Sequence, residues 1–213
     1  KNVLFTNNDS AYESAISLIK KGLKVEAIID TREKLNSDLI VEVEKNGVKI
    51  YWSHTVVNTG GYKKLKEITI MPLSNDGMSV IEKKVDIKCD CLAVAGGWTP
   101  AVHLFTQSGG KLKFREEDQV FLPGVSESKQ ISIGSCNGDF KIDEIFKNIL
   151  LNVKNFLEIK NTDYDNLKIE CPSDNIERNI WLLPSDKALG KTKPFVDFQN
   201  DATAKDIKLA LRE

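Results

Sequence analysis

The sequence predicts an α/β fold: a Rossmann-like three-layer domain with a β-meander, followed by part of a second dinucleotide-binding domain. Three observations carry this. Residues 2–51 alternate short apolar strands with helices of 3.6-residue periodicity. Residues 54–85 then change to short strands separated by Thr59-Gly60-Gly61 and Ser74-Asn75-Asp76-Gly77. Finally, the apolar run Leu92-Ala93-Val94-Ala95 stands between Asp90 and Gly96-Gly97. Such a run suits a strand covered on both faces, as in a parallel sheet.

In order, Asn2-Val3-Leu4-Phe5-Thr6 reads as a strand and Asn7-Asn8-Asp9 as a turn. Ser10 to Lys21 reads as a helix, with Ser10 and Glu13 as a capping box and Ala11, Ala15, Ile16 and Ile19 on one face. Gly22 ends it. Val25 to Ile29 is the second strand, with Asp30 at its end. Leu35 to Asn46 is a second helix and Val48 to Tyr51 a third strand. His54 to Asn58, Leu65 to Leu73 and Met78 to Val85 form the meander, and 91–95 returns to the first sheet. Residues 1–97 thus make one domain.

Beyond it, 102–107 is a short helix, and 111–114 with 120–122 is a hairpin pair or two short strands. Gln130 to Ile133 is a further buried strand, followed by Gly134-Ser135-Cys136-Asn137-Gly138-Asp139-Phe140 and a helix from Ile142 to Phe156. Ile145, Phe146, Ile149, Leu150 and Val153 form its apolar face. Residues 98–156 are read as part of a second domain, 157–194 as a linker with anchors at Tyr164, Ile169, Ile176, Trp181, Leu182 and Leu183, and 195–213 as the start of a following module. That last piece ends in a helix with Thr203 and Asp206 near its start.

Composition sets outer bounds. The chain has 213 residues, 41% hydrophobic and 29% charged, enough for one large domain or two small ones. A net charge of −1 without a basic stripe argues against a nucleic-acid partner. No apolar run reaches the ~20 residues of a membrane span. The sequence shows no signal peptide, and a cytoplasmic location is expected. The cysteines Cys89, Cys91, Cys136 and Cys171 are expected to be reduced thiols, because Cys89 and Cys91 alternate on a strand and point to opposite faces. His54 and His103 are far apart and show no zinc spacing. The chain begins at Lys1 and is expected to be a piece of a longer protein.

Two turns compete as a nucleotide site. The first βαβ unit has the skeleton of a dinucleotide-binding half, with an acidic residue, Asp30, about where a ribose hydroxyl is held. Its turn, Thr6 to Ala11, contains no glycine. Asp9 also puts a carboxylate where a phosphate would meet the helix N-terminus. Asp30 is therefore either a ribose-binding carboxylate or a strand-end residue paired with Arg32. The second turn, at 134–142, has Gly134 and Gly138 around small residues and opens a helix. It is either an anion-compatible corner or an ordinary strand–helix turn.

The order of the first domain and the phrase CDCLAVAGGWTP at 89–100 resemble the inner nucleotide domain of glutathione-reductase-like flavoproteins. FTNNDSAY (5–12), AGGWTPAVHLFTQSGGKL (95–112) and FVDFQNDATAKDIKLALRE (195–213) narrow this, and resemble the α subunits of heterotetrameric sarcosine oxidases. The resemblance implies a middle piece of an α subunit. The whole enzyme demethylates sarcosine oxidatively to glycine and hydrogen peroxide and passes the one-carbon unit to tetrahydrofolate. It implies NAD in the outer site, contacted by Gly134, Ser135, Cys136, Asn137, Gly138, Phe140 and Ile142. It also implies FMN near the α/β contact, FAD in the β subunit, tetrahydrofolate on a C-terminal domain, and β, γ and δ subunits as partners. No catalytic residue is expected in this chain. Asp139 either reaches a ribityl hydroxyl, as in flavin-binding relatives, or caps the helix. Related α subunits carry Cys-x-Cys where this chain has Asp197 and Gln199, so no iron–sulfur cluster is expected. Two other readings stand beside this one: a free NAD(P)H-dependent flavoprotein reductase, and a non-catalytic module that docks subunits.

Overall fold

A computed structural model describes residues 1–158 and 180–212. It begins with a parallel sheet built from β1 (Asn2–Thr6), β2 (Val25–Asp30), β3 (Lys49–Trp52) and a late strand, β7 (Cys91–Ala95). Its strand order is β3-β2-β1-β7. Helices α1 (Ser10–Lys20) and α2 (Asp38–Lys45) make the crossovers, and β4 (His54–Gly60), β5 (Glu67–Pro72) and β6 (Val85–Lys88) form an antiparallel meander. β1 and β2 are apolar at consecutive positions because both their faces are covered. Leu4 and Ile28 face the helices and pack with Tyr12, Ile16, Ile40 and Val43. Val3, Phe5, Ala27 and Ile29 face the meander and pack with Ile68, Ile70 and Ile87. The result is the expected three layers: helices, sheet and meander.

Several local expectations are corrected. Among the described residues β7 is a sheet edge paired only with β1, and Val94 is 64% exposed, so its apolar run is not covered on both faces. Ser10 and Glu13 form no capping box. Instead Asn8 Oδ1 accepts hydrogen bonds from Ser10 N (3.0 Å) and Ser10 Oγ (2.5 Å). α2 starts at Asp38, not Leu35, because Ser37 is its N-cap, accepting from Ile40 N at 3.3 Å. Residues 78–84 are not a strand. Met78 is exposed and only Val80 bridges back, to Leu73, while the third meander strand forms at β6, where Ile87 reaches the core.

The chain divides into two units. One holds 1–97 and the described part of 175–213; the other holds the described part of 98–174. In the second unit, α3 (His103–Gln107) precedes the hairpin of β8 (Lys111–Arg115) and β9 (Val120–Val125), and α4 runs from Ile142 to Phe156. The expected strand at Gln130–Ile133 is absent. A strand of the parallel kind needs a neighbour to take its N–H and C=O groups, and no described strand pairs with this one. α4 buries no residue fully, and Phe146, Val153 and Phe156 are exposed.

In the first unit, the late segment adds α5 (Leu189–Thr192), the two-stranded pair β10 (Phe195–Asp197) and β11 (Ala202–Thr203), and α6 (Ala204–Ala210). Thr203 and Asp206 form the capping box of α6. Asp186 pairs with Lys84 at 2.6 Å, and Lys187 Nζ donates to Asn58 Oδ1 at 3.0 Å. Of the residues read as linker anchors, Trp181, Leu182 and Leu183 are exposed. Tyr164, Ile169 and Ile176, with Cys171, lie outside the described residues. Among the described residues no helix is long and apolar enough to cross a membrane.

Candidate functional site

The crossover of the parallel sheet is filled by side chains. In an open parallel sheet a ligand binds outside the carboxyl ends of the strands, where the strand order reverses. Here that place lies between β1 and β7. Thr6 Oγ1 donates to Asn8 O at 2.8 Å and accepts from Asn8 N at 3.0 Å, which folds the turn onto β1. Asn8 Nδ2 then donates to Asn7 Oδ1 at 2.8 Å and to Ala95 O at 3.2 Å, reaching across to the end of β7.

Asp30 pairs with Arg32. It is fully buried, and its Oδ1 accepts from Arg32 N (2.9 Å) and Arg32 Nε (3.1 Å). Its Oδ2 accepts from Arg32 Nη2 and from Tyr12 Oη, each at 2.8 Å. Arg32 Nη2 also pairs with Asp9 Oδ1 at 2.8 Å. Burial works against the Arg32 charge, but Asp30 and Asp9 outweigh it and hold its pKa above the ordinary arginine value. Burial, reinforced by the Asp30 carboxylate, pushes the Tyr12 phenol far upward. Sequence reading pointed to Asp9 and Asp30 but missed Tyr12 and Asn8. A helical position three residues past Asp9 was the available signal for Tyr12.

At the second turn, residues 134–137 form one turn of 3₁₀-helix, and Gly134 and Gly138 adopt left-handed φ values of 78° and 82°. Gly134 is buried, Ser135 and Phe140 are exposed, and Cys136, Asn137 and Gly138 are half-buried. Ile142 is exposed at the start of α4. The turn uses some of its own N–H groups: Gly138 N donates to Ser135 O and Asp139 N to Gly134 O, both at 3.2 Å. Cys136 Sγ donates to Ile133 O at 3.1 Å. Asp139 does not cap α4. Its Oδ2 accepts from Asn148 Nδ2 at 3.1 Å, and the N-cap is Lys141 without a side-chain bond.

Close approach at Gly138 comes from within the unit. A Cβ there would meet Leu122 Cδ2 at 2.6 Å and Arg115 Nη2 at 3.1 Å. The glycine is thus explained by its left-handed φ and by the β8–β9 hairpin lying against it. The first turn of α4 carries Asp143 and Glu144, which oppose an anion at that N-terminus.

No family model matches the chain. The sarcosine oxidase α subunit of Rhizobium meliloti (strain 1021) is 28% identical over 221 residues, covering 99% of this chain and 20% of that protein. The α subunit from Corynebacterium sp. (strain P-1) is 29% identical over 216 residues, covering 96% of this chain and 22% of that protein. The chain is similar, over almost all its length, to a segment of sarcosine oxidase α subunits. It spans about a fifth of the length of these relatives. Among solved structures, a variant of the HOCl-induced flavoprotein disulfide reductase RclA of Escherichia coli, as a Cu(II) complex, has a TM-score of 0.53 at 13% identity, over 74% of this chain and 36% of that one. The unaltered RclA complex gives 0.51 at 15% identity, over 73% and 35%. These likenesses show the fold, a flavoprotein-reductase type of α/β architecture, and nothing of its ligands. The similarity to sarcosine oxidase α subunits runs through both turns described above.

Proposed function

We propose that this chain is the dinucleotide-fold segment of a sarcosine oxidase α subunit, and that NAD lies against the turn 134–142. The observation that carries the first part is the similarity along 99% of the chain to a subunit of that name. In this reading the whole enzyme converts sarcosine to glycine and hydrogen peroxide and hands the one-carbon unit to tetrahydrofolate. The β, γ and δ subunits are its partners, FAD belongs to β, FMN lies near the α/β contact, and folate binds a C-terminal domain. The assembly is cytoplasmic. Residues 1–97 are the inner nucleotide domain, 98–156 the end of the outer one, 157–194 the linker and 195–213 the start of the next module. The chain itself is non-catalytic.

The residues at 134–142 fit the uncharged parts of NAD better than its pyrophosphate. Ser135 offers an exposed hydroxyl for a ribose, and Phe140 and Ile142 offer exposed apolar surface for a ring. Gly134, Cys136, Asn137 and Gly138 shape the backbone beneath them. With Asp143 and Glu144 in the first helical turn, the phosphates are held by residues outside this turn. Bound NAD supplies a hydride carrier; the turn only positions it. The test is calorimetric titration of NAD into the full-length protein carrying Ser135→Trp. Ser135 is exposed, so a large side chain covers the turn without disturbing the core. A loss of at least tenfold in affinity is expected; unchanged affinity rejects the assignment of NAD to this turn.

A further inference from the structure

We propose that the inner crossover, at the carboxyl ends of β1, β2 and β7, takes no nucleotide because the protein's own side chains fill it, and that Arg32 is the residue that closes it. The groups that would face a dinucleotide there, Asp9, Asp30 and Asn8, are already paired internally. Asp9, 7% exposed, stands where a phosphate would meet the N-terminus of α1, and its charge is met by Arg32 Nη2 at 2.8 Å. Asp30, the strand-end carboxylate that would accept from a ribose hydroxyl, has both oxygens engaged by Arg32, and Oδ2 also by Tyr12. The gap between β1 and β7 is spanned by Asn8 Nδ2 to Ala95 O.

The Arg32 backbone is anchored as well as its side chain. Its backbone O accepts from Ser53 N at 2.8 Å and Ser53 Oγ at 3.3 Å, and Ser53 O accepts from Leu73 N at 2.7 Å. Arg32 therefore joins the start of α1, the end of β2 and the meander at one point. Displacing it would leave two buried carboxylates without their cation, a costly state in a low-dielectric interior. A nicotinamide-dependent reductase using this crossover would have no place for its donor, so the free-reductase reading loses its entry point. The inner unit is a self-filled nucleotide fold that holds its shape without a cofactor.

This inference does not depend on where NAD binds at 134–142, and one experiment separates the two. Hydrogen–deuterium exchange is measured on the full-length protein alone and with saturating NAD⁺, NADP⁺ or ADP-ribose, each in turn. Amides at 6–12 and 30–32 are expected to exchange at the same rate in all four samples; protection at 134–142 reports separately on the outer turn. Arg32→Met is expected to speed exchange at 6–12 and 30–32 at least tenfold, with none of the three ligands restoring it. Arg32→Lys, which keeps the charge but loses the fork that reaches both carboxylates, is expected to restore part of the protection. Slower exchange at 6–12 or 30–32 with any ligand on the unaltered protein overturns the proposal, as does unchanged exchange in Arg32→Met. Should Arg32→Met not fold, the measurement on the unaltered protein decides alone.

Discussion

Tyr12→Phe isolates one bond of the buried network. Tyr12 is fully buried, its ring stacks on Trp52 at 6.2 Å between centroids, and its hydroxyl donates to Asp30 Oδ2 at 2.8 Å. Phenylalanine keeps the ring, so no cavity forms and the Trp52 contact survives. What is lost is one hydrogen bond to a buried carboxylate, a class that contributes about 1.5–3 kcal/mol. Asp30 keeps its bonds from Arg32 N, Nε and Nη2, which places the loss toward the lower half of that range. The expected destabilisation is about 2 kcal/mol, roughly thirtyfold in the folding equilibrium. Urea unfolding followed by circular dichroism measures it, with the slope of the transition unchanged because the buried surface is the same. A loss below about 0.5 kcal/mol, the ordinary scatter of surface substitutions, would show that Asp30 does not rely on Tyr12.

Gly138→Ala places a Cβ 2.6 Å from Leu122 Cδ2 on a backbone with φ 82°, so left-handed strain and overpacking add to a loss of about 2–4 kcal/mol; a thermal melt of the variant matching the parent would remove the packing explanation. Burial, with lesser help from the Asp90 and Cys91 charges, raises the Cys89 thiol pKa. The unfolded thiol ionises near pH ~8.5 and the folded one at higher pH. Cys89 therefore contributes nothing to pH dependence below that value, and above it stability falls as the unfolded state sheds its proton first. Urea melts at pH 7.5 and 9.5 are expected to show a smaller drop in Cys89→Ala than in the parent; equal drops would place the effect elsewhere.

What sequence reading recovered follows from which forces are local. The βαβαβ unit was readable because β1 and β2 are apolar on both faces and α1 carries its core residues at helical spacing, with Ala11, Ala15 and Ile16 buried as expected. The meander was readable from its turns, but its third strand was misplaced. Ser79, Val80 and Ile81 satisfy a propensity pattern, yet it is Val85, Ile87 and Cys89 that pack with the layer formed by Ile68 and Ile70. The expected strand at 130–133 failed for another reason: its apolar residues suit a strand, but no described strand pairs with it. Hydrogen-bond partners distant in sequence are not visible in a local run of residues.

The glycines show the same limit at the candidate sites. A missing glycine at 7–10 suggested a closed turn, and the structure supplies the physical cause in Asn8 bridging to Ala95 and Arg32 bridging Asp9 to Asp30. A glycine present at 138 suggested room for a ligand, yet Leu122 and Arg115 occupy that room. Glycine reports that something comes close to the backbone; it does not say whether the neighbour is a cofactor or the protein itself. At 134–142 the exposed residues are Ser135, Phe140, Lys141 and Ile142, and theirs are the side chains still available for contact. Blocking Ser135 therefore tests the ligand at this turn, whereas substituting Gly138 tests the hairpin packed beneath it.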